Sequence, residues 1–486
     1  MTHPVDELKT LGRLQQAYIN GQWVTLSSTR SHNIVNPSDE SLIGELTLGS
    51  ADDADTAIQA AAAAFPDWSQ TSVNERLAIL DCVIALFEAR AEQLAQILST
   101  EMGAPINYAR TAHVPLALAH LQVARDNLAS YEFTQMRGTT AIAREPIGVA
   151  GLITPWNGPL YQITANVGPA IASGCTVVLK PSELSPLSAL AFADILHDAG
   201  VPAGVFNLLN GDGPEVGSVL SSHPLVDMVS ITGSTRAGIS VAQAAASTVK
   251  RVAQELGGKS PNIILPDADL QAAIGPGVLA CMRNNGQSCS APTRMLVPRE
   301  KLAEAEQLAI EAVNTIVIGR SDNETATHGP LANRAQFERV QLMIEKGLSE
   351  DAKCITGGVG RPEGFETGFF VRPTIFSDVT NDMAIAREEI FGPVLCMLPY
   401  DTVDEAVAIA NDTVYGLAAH VQSKNLNEAR RVARLIRSGQ VHINYPAWDA
   451  HAPFGGYKQS GSGREFGLEG FEEYLETKAI VGFGEA

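Results

Sequence analysis

A chain of 486 residues exceeds what one ordinary hydrophobic core organises, so two or three domains are expected. Hydrophobic residues make up 45% and charged residues 18%, the balance of a globular protein rather than a disordered one. With 34 basic against 54 acidic side chains the net charge is −20, which repels phosphate backbones and anionic membranes and argues against nucleic-acid and lipid partners.

The opening run Met1-Thr2-His3-Pro4-Val5-Asp6-Glu7 is polar and acidic, not a signal peptide, and no apolar run is long enough to span a bilayer. Residues 51–64 read as an Ala-rich helix capped near Ser50 or Asp52, and 73–101 as one long amphipathic helix. The segment 125–145 reads as short strands. Residues 147–153 and 175–180 are apolar runs bounded by Gly and Pro, hence buried strands, with helical composition over 185–199 and 236–248. A second alternating set starts at Asn262-Ile263-Ile264-Leu265 and runs through a helix carrying Cys289 to about residue 455, and the tail from about Glu473 reads as a strand. Strand and helix alternate, so the class is α/β with parallel sheets and crossover helices. The break at Gly257-Gly258 is the expected domain boundary.

Six cysteines (Cys82, Cys175, Cys281, Cys289, Cys354, Cys396) lie without CxxC spacing, so neither a metal site nor a disulfide framework is expected. A working thiol favours a reducing compartment, and the expected location is cytoplasmic. Cys289 stands among small residues in Asn285-Gly286-Gln287-Ser288-Cys289-Ser290-Ala291-Pro292, and Glu255 in Gln254-Glu255-Leu256-Gly257-Gly258-Lys259. A thiol and a carboxylate of this kind suit covalent chemistry on a carbonyl: sulfur attacks carbon, preset donors hold the oxyanion, and a base activates water. Gly211-Asp212-Gly213-Pro214-Glu215-Val216-Gly217 has one residue too many for the usual dinucleotide fingerprint. The turn Gly233-Ser234-Thr235 between a strand and a helix makes an anion site, with Ser234 offered to a pyrophosphate.

With Tyr18-Ile19-Asn20-Gly21-Gln22-Trp23, Thr154-Pro155-Trp156-Asn157, Val178-Leu179-Lys180-Pro181-Ser182-Glu183, Arg387-Glu388-Glu389-Ile390-Phe391-Gly392-Pro393 and Pro453-Phe454-Gly455-Gly456-Tyr457-Lys458, these motifs resemble the NAD(P)-dependent aldehyde dehydrogenase superfamily over nearly the whole chain. The resemblance implies two Rossmann-like parallel-sheet domains, NAD-binding (1–124 and 146–256) and catalytic (257–455), with a small β oligomerisation segment (125–145 and 473–486) that makes a homodimer or homotetramer. It implies Cys289 as nucleophile, Asn157 as oxyanion donor and Glu255 as general base, the last separating hydrolytic members from those that acylate coenzyme A. Glu465 is either a proton relay or a salt-bridge partner. The cofactor residues it implies are Ile153, Thr154, Trp156, Lys180, Ser182, Glu183, Gly213, Gly217, Gly233, Ser234, Leu256, Glu389 and Phe391. A carboxylate at Glu183 repels a 2′-phosphate, so NAD is expected over NADP, although NADP is not excluded.

Several positions depart from the family's commoner pattern. Gly158 stands where Phe or Tyr is usual, Asn166 where Lys is frequent, and Gln254 precedes Glu255 where Leu or Met is common. The implied substrate pocket comprises Leu116, Tyr161, Gln162, Ala165, Arg283, Ser288, Ser290 and Trp448. The missing ring at Gly158 and small Ala165 imply spare room for a medium-chain aliphatic or aromatic aldehyde. Arg283 supports the alternative of a carboxylated semialdehyde such as succinic semialdehyde. A catalytically silent binding protein on the same fold would be expected to lack Cys289, Glu255 or Asn157.

Overall fold

Ser50 and Ser72 open their helices in the same way. Each hydroxyl accepts the backbone N–H of Asp53 or Glu75, and that acid's carboxylate accepts the cap residue's N–H in return, in a computed structural model describing residues 3–484. The first helix, Ala51–Trp68, runs beyond the expected end at residue 64. The single helix expected over 73–101 is two, Val73–Ala89 and Ala91–Met102, interrupted at Arg90 (φ −107°, ψ 11°), whose guanidinium is paired with Asp198. That tertiary contact is invisible to periodicity.

Apolar strands buried on both faces form the centre of the first sheet. Its parallel members are, in spatial order, Arg251–Glu255, Met228–Thr232, Val149–Ile153, Thr176–Lys180 and Phe206–Leu208. Antiparallel strands close both edges: Gln16–Ile19 with Gln22–Thr25 on one side, and Gly461–Ser462 on the other. The chain leaves this sheet at Glu255 and enters the second at Pro261, so the Gly257-Gly258 break does lie between them.

The second sheet runs Lys353–Thr356, Thr374–Ser377, Val394–Tyr400, Arg294–Pro298, Pro261–Ile264, Ala418–Gln422 and Gln440–Ile443, parallel except at its first pair. A third, antiparallel sheet joins Thr134–Arg137, Thr140–Pro146 and Leu475–Ile480. Residues 125–130 do not belong to it. They finish the helix Val114–Ser130, so the reading of 125–145 as strands fails over its first part. Residues 485–486 of the expected tail lie outside the described residues. Among the described residues no helix is long and apolar enough to cross a membrane.

Candidate active site

The site forms where the first sheet's parallel strands end at their carboxyl edge, facing the second sheet. Asn157 lies between the strand Val149–Ile153 and the helix Pro159–Ser173, 4% exposed, and its Nδ2 donates to the Gln287 carbonyl at 3.0 Å. Glu255 is the last residue of its strand, and the glycine bend follows it. A side chain at Gly257 would overlap the Glu389 carboxylate, and one at Gly258 the Cys289 carbonyl. The two glycines therefore let Glu255, the Cys289 loop and Glu389 converge. Cys289 is not on a helix. The helix Leu270–Met282 ends, Asn284 and Asn285 take left-handed φ of 53° and 55°, and Cys289 sits half-buried in the turn beyond.

One cleft of about 490 Å³ is lined by Trp156, Asn157, Gly233, Ser234, Glu255, Leu256, Cys289, Glu389 and Phe391, together with residues the sequence did not single out, notably Arg339 and Tyr415. A wider groove of about 1110 Å³ under the N-terminal helix shares none of these residues. Trp156 and Phe391 meet edge to face at 5.4 Å, and the Glu389 carboxylate accepts the Gly258 N–H at 3.0 Å. Ser234 caps the helix Thr235–Ala245, whose positive end faces the cleft. Lys180, Ser182, Glu183, Gly213 and Gly217 are not among the residues that line this cleft, and of these Lys180, Glu183 and Gly217 are neighbours. Ile153 pairs with Lys180 in the sheet, Thr154 N–H donates to the Lys180 carbonyl at 3.1 Å, and a Cβ on Gly217 would lie 3.9 Å from both Ile153 and Lys180 side chains. The buried Lys180 ammonium donates to the Pro181 and Gly211 carbonyls and stands 3.6 Å from the Glu183 carboxylate. Carboxylates for ribose hydroxyls, a helix end for phosphate and aromatic rings beside the thiol fit a nicotinamide dinucleotide.

Burial dominates the electrostatics. Glu255 has no hydrogen-bond partner for either carboxylate oxygen, and desolvation, reinforced by Glu465 and opposed by Arg464, holds its pKa well above the usual range. A Cβ at Gly455 would lie 2.7 Å from Glu255 Oε1, so that glycine leaves the carboxyl its space. Glu389 and Glu465 are each pushed by desolvation to about 7. Burial also raises the Cys289 thiol, with Glu389, Glu255 and Glu465 adding to the rise. Glu465 is no salt-bridge partner here. Its Oε1 accepts from Asn166 Nδ2 at 2.9 Å and Thr232 Oγ1 at 3.2 Å, while the Asn166 carbonyl accepts from Ser230 Oγ and Tyr474 Oη. Glu255 and Glu465 line the same small void. The sequence flagged Glu465 and Asn166 separately; 299 positions apart, they gave no sign of being partners.

On the substrate side the structure corrects one expectation. Gly158 does not leave an empty place, because the Tyr161 ring lies where a side chain at 158 would go. Gln162 is buried with its Oε1 unpaired, Leu116 is half-buried on the helix Val114–Ser130, and the Ser288 and Ser290 hydroxyls are 3.3 Å apart. Arg283 is exposed, near Tyr108 and His420. Trp448 is 54% exposed and meets His120 edge-on at 5.7 Å. His113, His120 and Phe466 escaped the sequence reading. His120 stacks on Phe466 at 4.1 Å, and His113 lies 5.4 Å from the Tyr161 ring. Only the seven-residue spacing of the two histidines, two turns of one helix face, could have signalled them.

The aldehyde dehydrogenase family model matches residues 23–480. This chain belongs to that family. An aldehyde dehydrogenase C from Pseudomonas syringae, solved as a cysteine-to-alanine mutant with NAD+ and octanal, is 62% identical over 97% of this chain and 98% of its own, with a TM-score of 0.97. A 3-succinoylsemialdehyde-pyridine dehydrogenase from a Pseudomonas species is 53% identical over 470 residues, 96% of this chain and 98% of its own. An aldehyde dehydrogenase from Mycobacterium tuberculosis complexed with NAD+ is 38% identical, covering 96% of this chain and 98% of its own, with a TM-score of 0.93. Membership makes the α/β architecture with two Rossmann-like sheets that of an enzyme.

Proposed function

We propose that this dehydrogenase oxidises a medium-chain aliphatic or aromatic aldehyde to the carboxylic acid, with NAD and water, through a thiohemiacetal and a thioester on Cys289. The observation that carries the reading is the single cleft in which Cys289, Glu255 and Asn157 meet Glu389, Phe391 and Trp156. NAD would be held by Glu389, Phe391 and Trp156 at one end and by Lys180, Ser182 and Glu183 at the other, and it would supply the hydride acceptor. Glu183 is the residue on which preference for NAD over NADP rests.

Cys289 Sγ, once deprotonated, bonds to the aldehyde carbon while the carbonyl π pair moves onto oxygen. Asn157 Nδ2 keeps one N–H free of its bond to Gln287, and that N–H with the Cys289 backbone N–H receives the charge. Loss of hydride from the carbon leaves the thioester. Glu255 then takes a proton from water as the oxygen bonds to carbon, and the carbon–sulfur bond breaks to release the acid. The octanal complex of the 62% identical relative supports an aliphatic chain. The exposed Arg283 favours the second reading, a semialdehyde with a carboxylate tail. The free cysteines suit the cytoplasm, and the exposed strands Thr134–Arg137 and Leu475–Ile480 suit assembly into a homodimer or homotetramer. A panel of straight-chain, aromatic and carboxylated aldehydes, assayed for NADH with and without coenzyme A, tests the proposal. Octanal should outperform succinic semialdehyde without any need for coenzyme A, and the reverse order would transfer the assignment to the second reading.

A further inference from the structure

Tyr161 occupies the third position of the helix Pro159–Ser173, and the tip of its ring, hydroxyl included, lies against Gly158. Gly158 directly follows Asn157, so the phenol oxygen lies against the residue next to Asn157. Cys289, Tyr108 and Glu465 are the titratable groups whose charge it feels, with the Gln162 side chain beside it. Packing fixes the ring. His113 lies tilted against it at 35°, His113 Nε2 is 3.4 Å from Asn284 Oδ1, and Asn284 Nδ2 donates to the Asn157 carbonyl at 2.8 Å. The contacts close a circuit: Tyr161, His113, Asn284, Asn157, Gly158 and back to Tyr161.

A tetrahedral oxyanion has lone pairs for three donors. Asn157 has already given one of its two amide hydrogens to Gln287, so its side chain and the Cys289 backbone N–H supply two. We infer that Tyr161 is a further catalytic residue, its phenol O–H held on Gly158 beside Asn157 to donate the third hydrogen bond to the aldehyde oxygen as that oxygen takes negative charge. The inference rests on the oxidation proposed above and assigns a residue to it. Burial keeps the hydroxyl protonated, in the form that donates. Gly158 belongs to the same device, since any side chain there would push the ring away.

The test is rapid-mixing measurement of the NADH burst with octanal and saturating NAD. Tyr161→Phe keeps the ring and removes only the donor. The burst rate should fall about 10- to 100-fold with the KM for octanal within about twofold, because the bond strengthens as charge develops. Gly158→Ala, which displaces the ring, should lose at least as much, and adding Tyr161→Phe to it should cost nothing further. A Tyr161→Phe burst within about threefold of wild type, or a loss confined to KM, would overturn the assignment and leave Tyr161 a wall. No burst from wild type with any aldehyde would remove the oxidation and Tyr161's role together, whereas a wild-type burst with an unchanged variant removes Tyr161 alone.

Discussion

The carboxyl groups behind Cys289 and the imidazoles on its substrate side are both cut off from water, and burial moves their pKa values in opposite directions. Glu389 and Glu465 rise to about 7 and Glu255 is held well above the usual carboxylate range, while His113 falls to about 4 and His120 to about 3. Both walls thereby tend toward neutrality at physiological pH. The difference lies in what can change. Glu389 and Glu465 sit close to neutral pH, where a proton can be gained or lost, whereas the imidazoles stay neutral there and serve as flat packing surfaces.

The comparison breaks most sharply at the nucleophile between the walls. Cys289→Ala should lower NADH formation by about 10⁴-fold or more while calorimetry shows NAD binding nearly intact, because the thiol bonds carbon and not the dinucleotide. Glu255→Gln should slow steady-state turnover by about 10²- to 10³-fold yet leave an NADH burst, since water activation follows hydride loss. In wild type, turnover should climb with pH through the raised Glu255 pKa as the base loses its proton, and this variant should flatten that limb.

Glu465→Gln isolates the energetic side of the acidic wall. A carboxyl whose folded pKa is raised from 4.5 to about 7 contributes stability present below 4.5 and lost as pH rises through about 7. Thermal melts should show the variant close to wild type near pH 5 and more stable near pH 8, by up to about 3 kcal/mol. A variant advantage that shrank as pH rose would contradict the sign. Smallest of the four, Trp448→Ala at the exposed rim of the other wall should cost about 1 kcal/mol in kcat/KM for octanal, with no change in its pH profile. A shifted profile would mean the two walls are not separate in function.

Much of this was readable in the chain. Ser50 and Ser72 precede their helices with the acids that complete the caps, and Glu255, Cys289 and Asn157 stand in motifs whose family resemblance carried their roles. What escaped depends on partners distant in sequence. Nothing near Arg90 signals a break, and its ion pair joins it to Asp198, 108 positions away. Phe466 adopts φ 64° without being glycine, so its stacking on His120 came with no backbone signature. Cys289 seemed helical because the apolar run before it is helical, but the backbone leaves the helix at Arg283 (φ −54°, ψ 142°) and the left-handed Asn284-Asn285 pair follows. Gly158 read as empty space because a missing side chain does not say which neighbour fills it.

The Asn157–Gln287 hydrogen bond joins residues 130 positions apart, one just beyond a strand of the first sheet and the other in the loop that leads into the second sheet's strand Arg294–Pro298. The Gln287 side chain is itself anchored within the second unit, its Oε1 accepting the Ala332 N–H and its Nε2 donating to the Asn284 carbonyl. Neither core can hold Asn157 in this way alone. During refolding from denaturant, helical signal should therefore return before dinucleotide affinity and catalysis, which both draw on residues of the two cores, and the lag reports the time the cores take to dock.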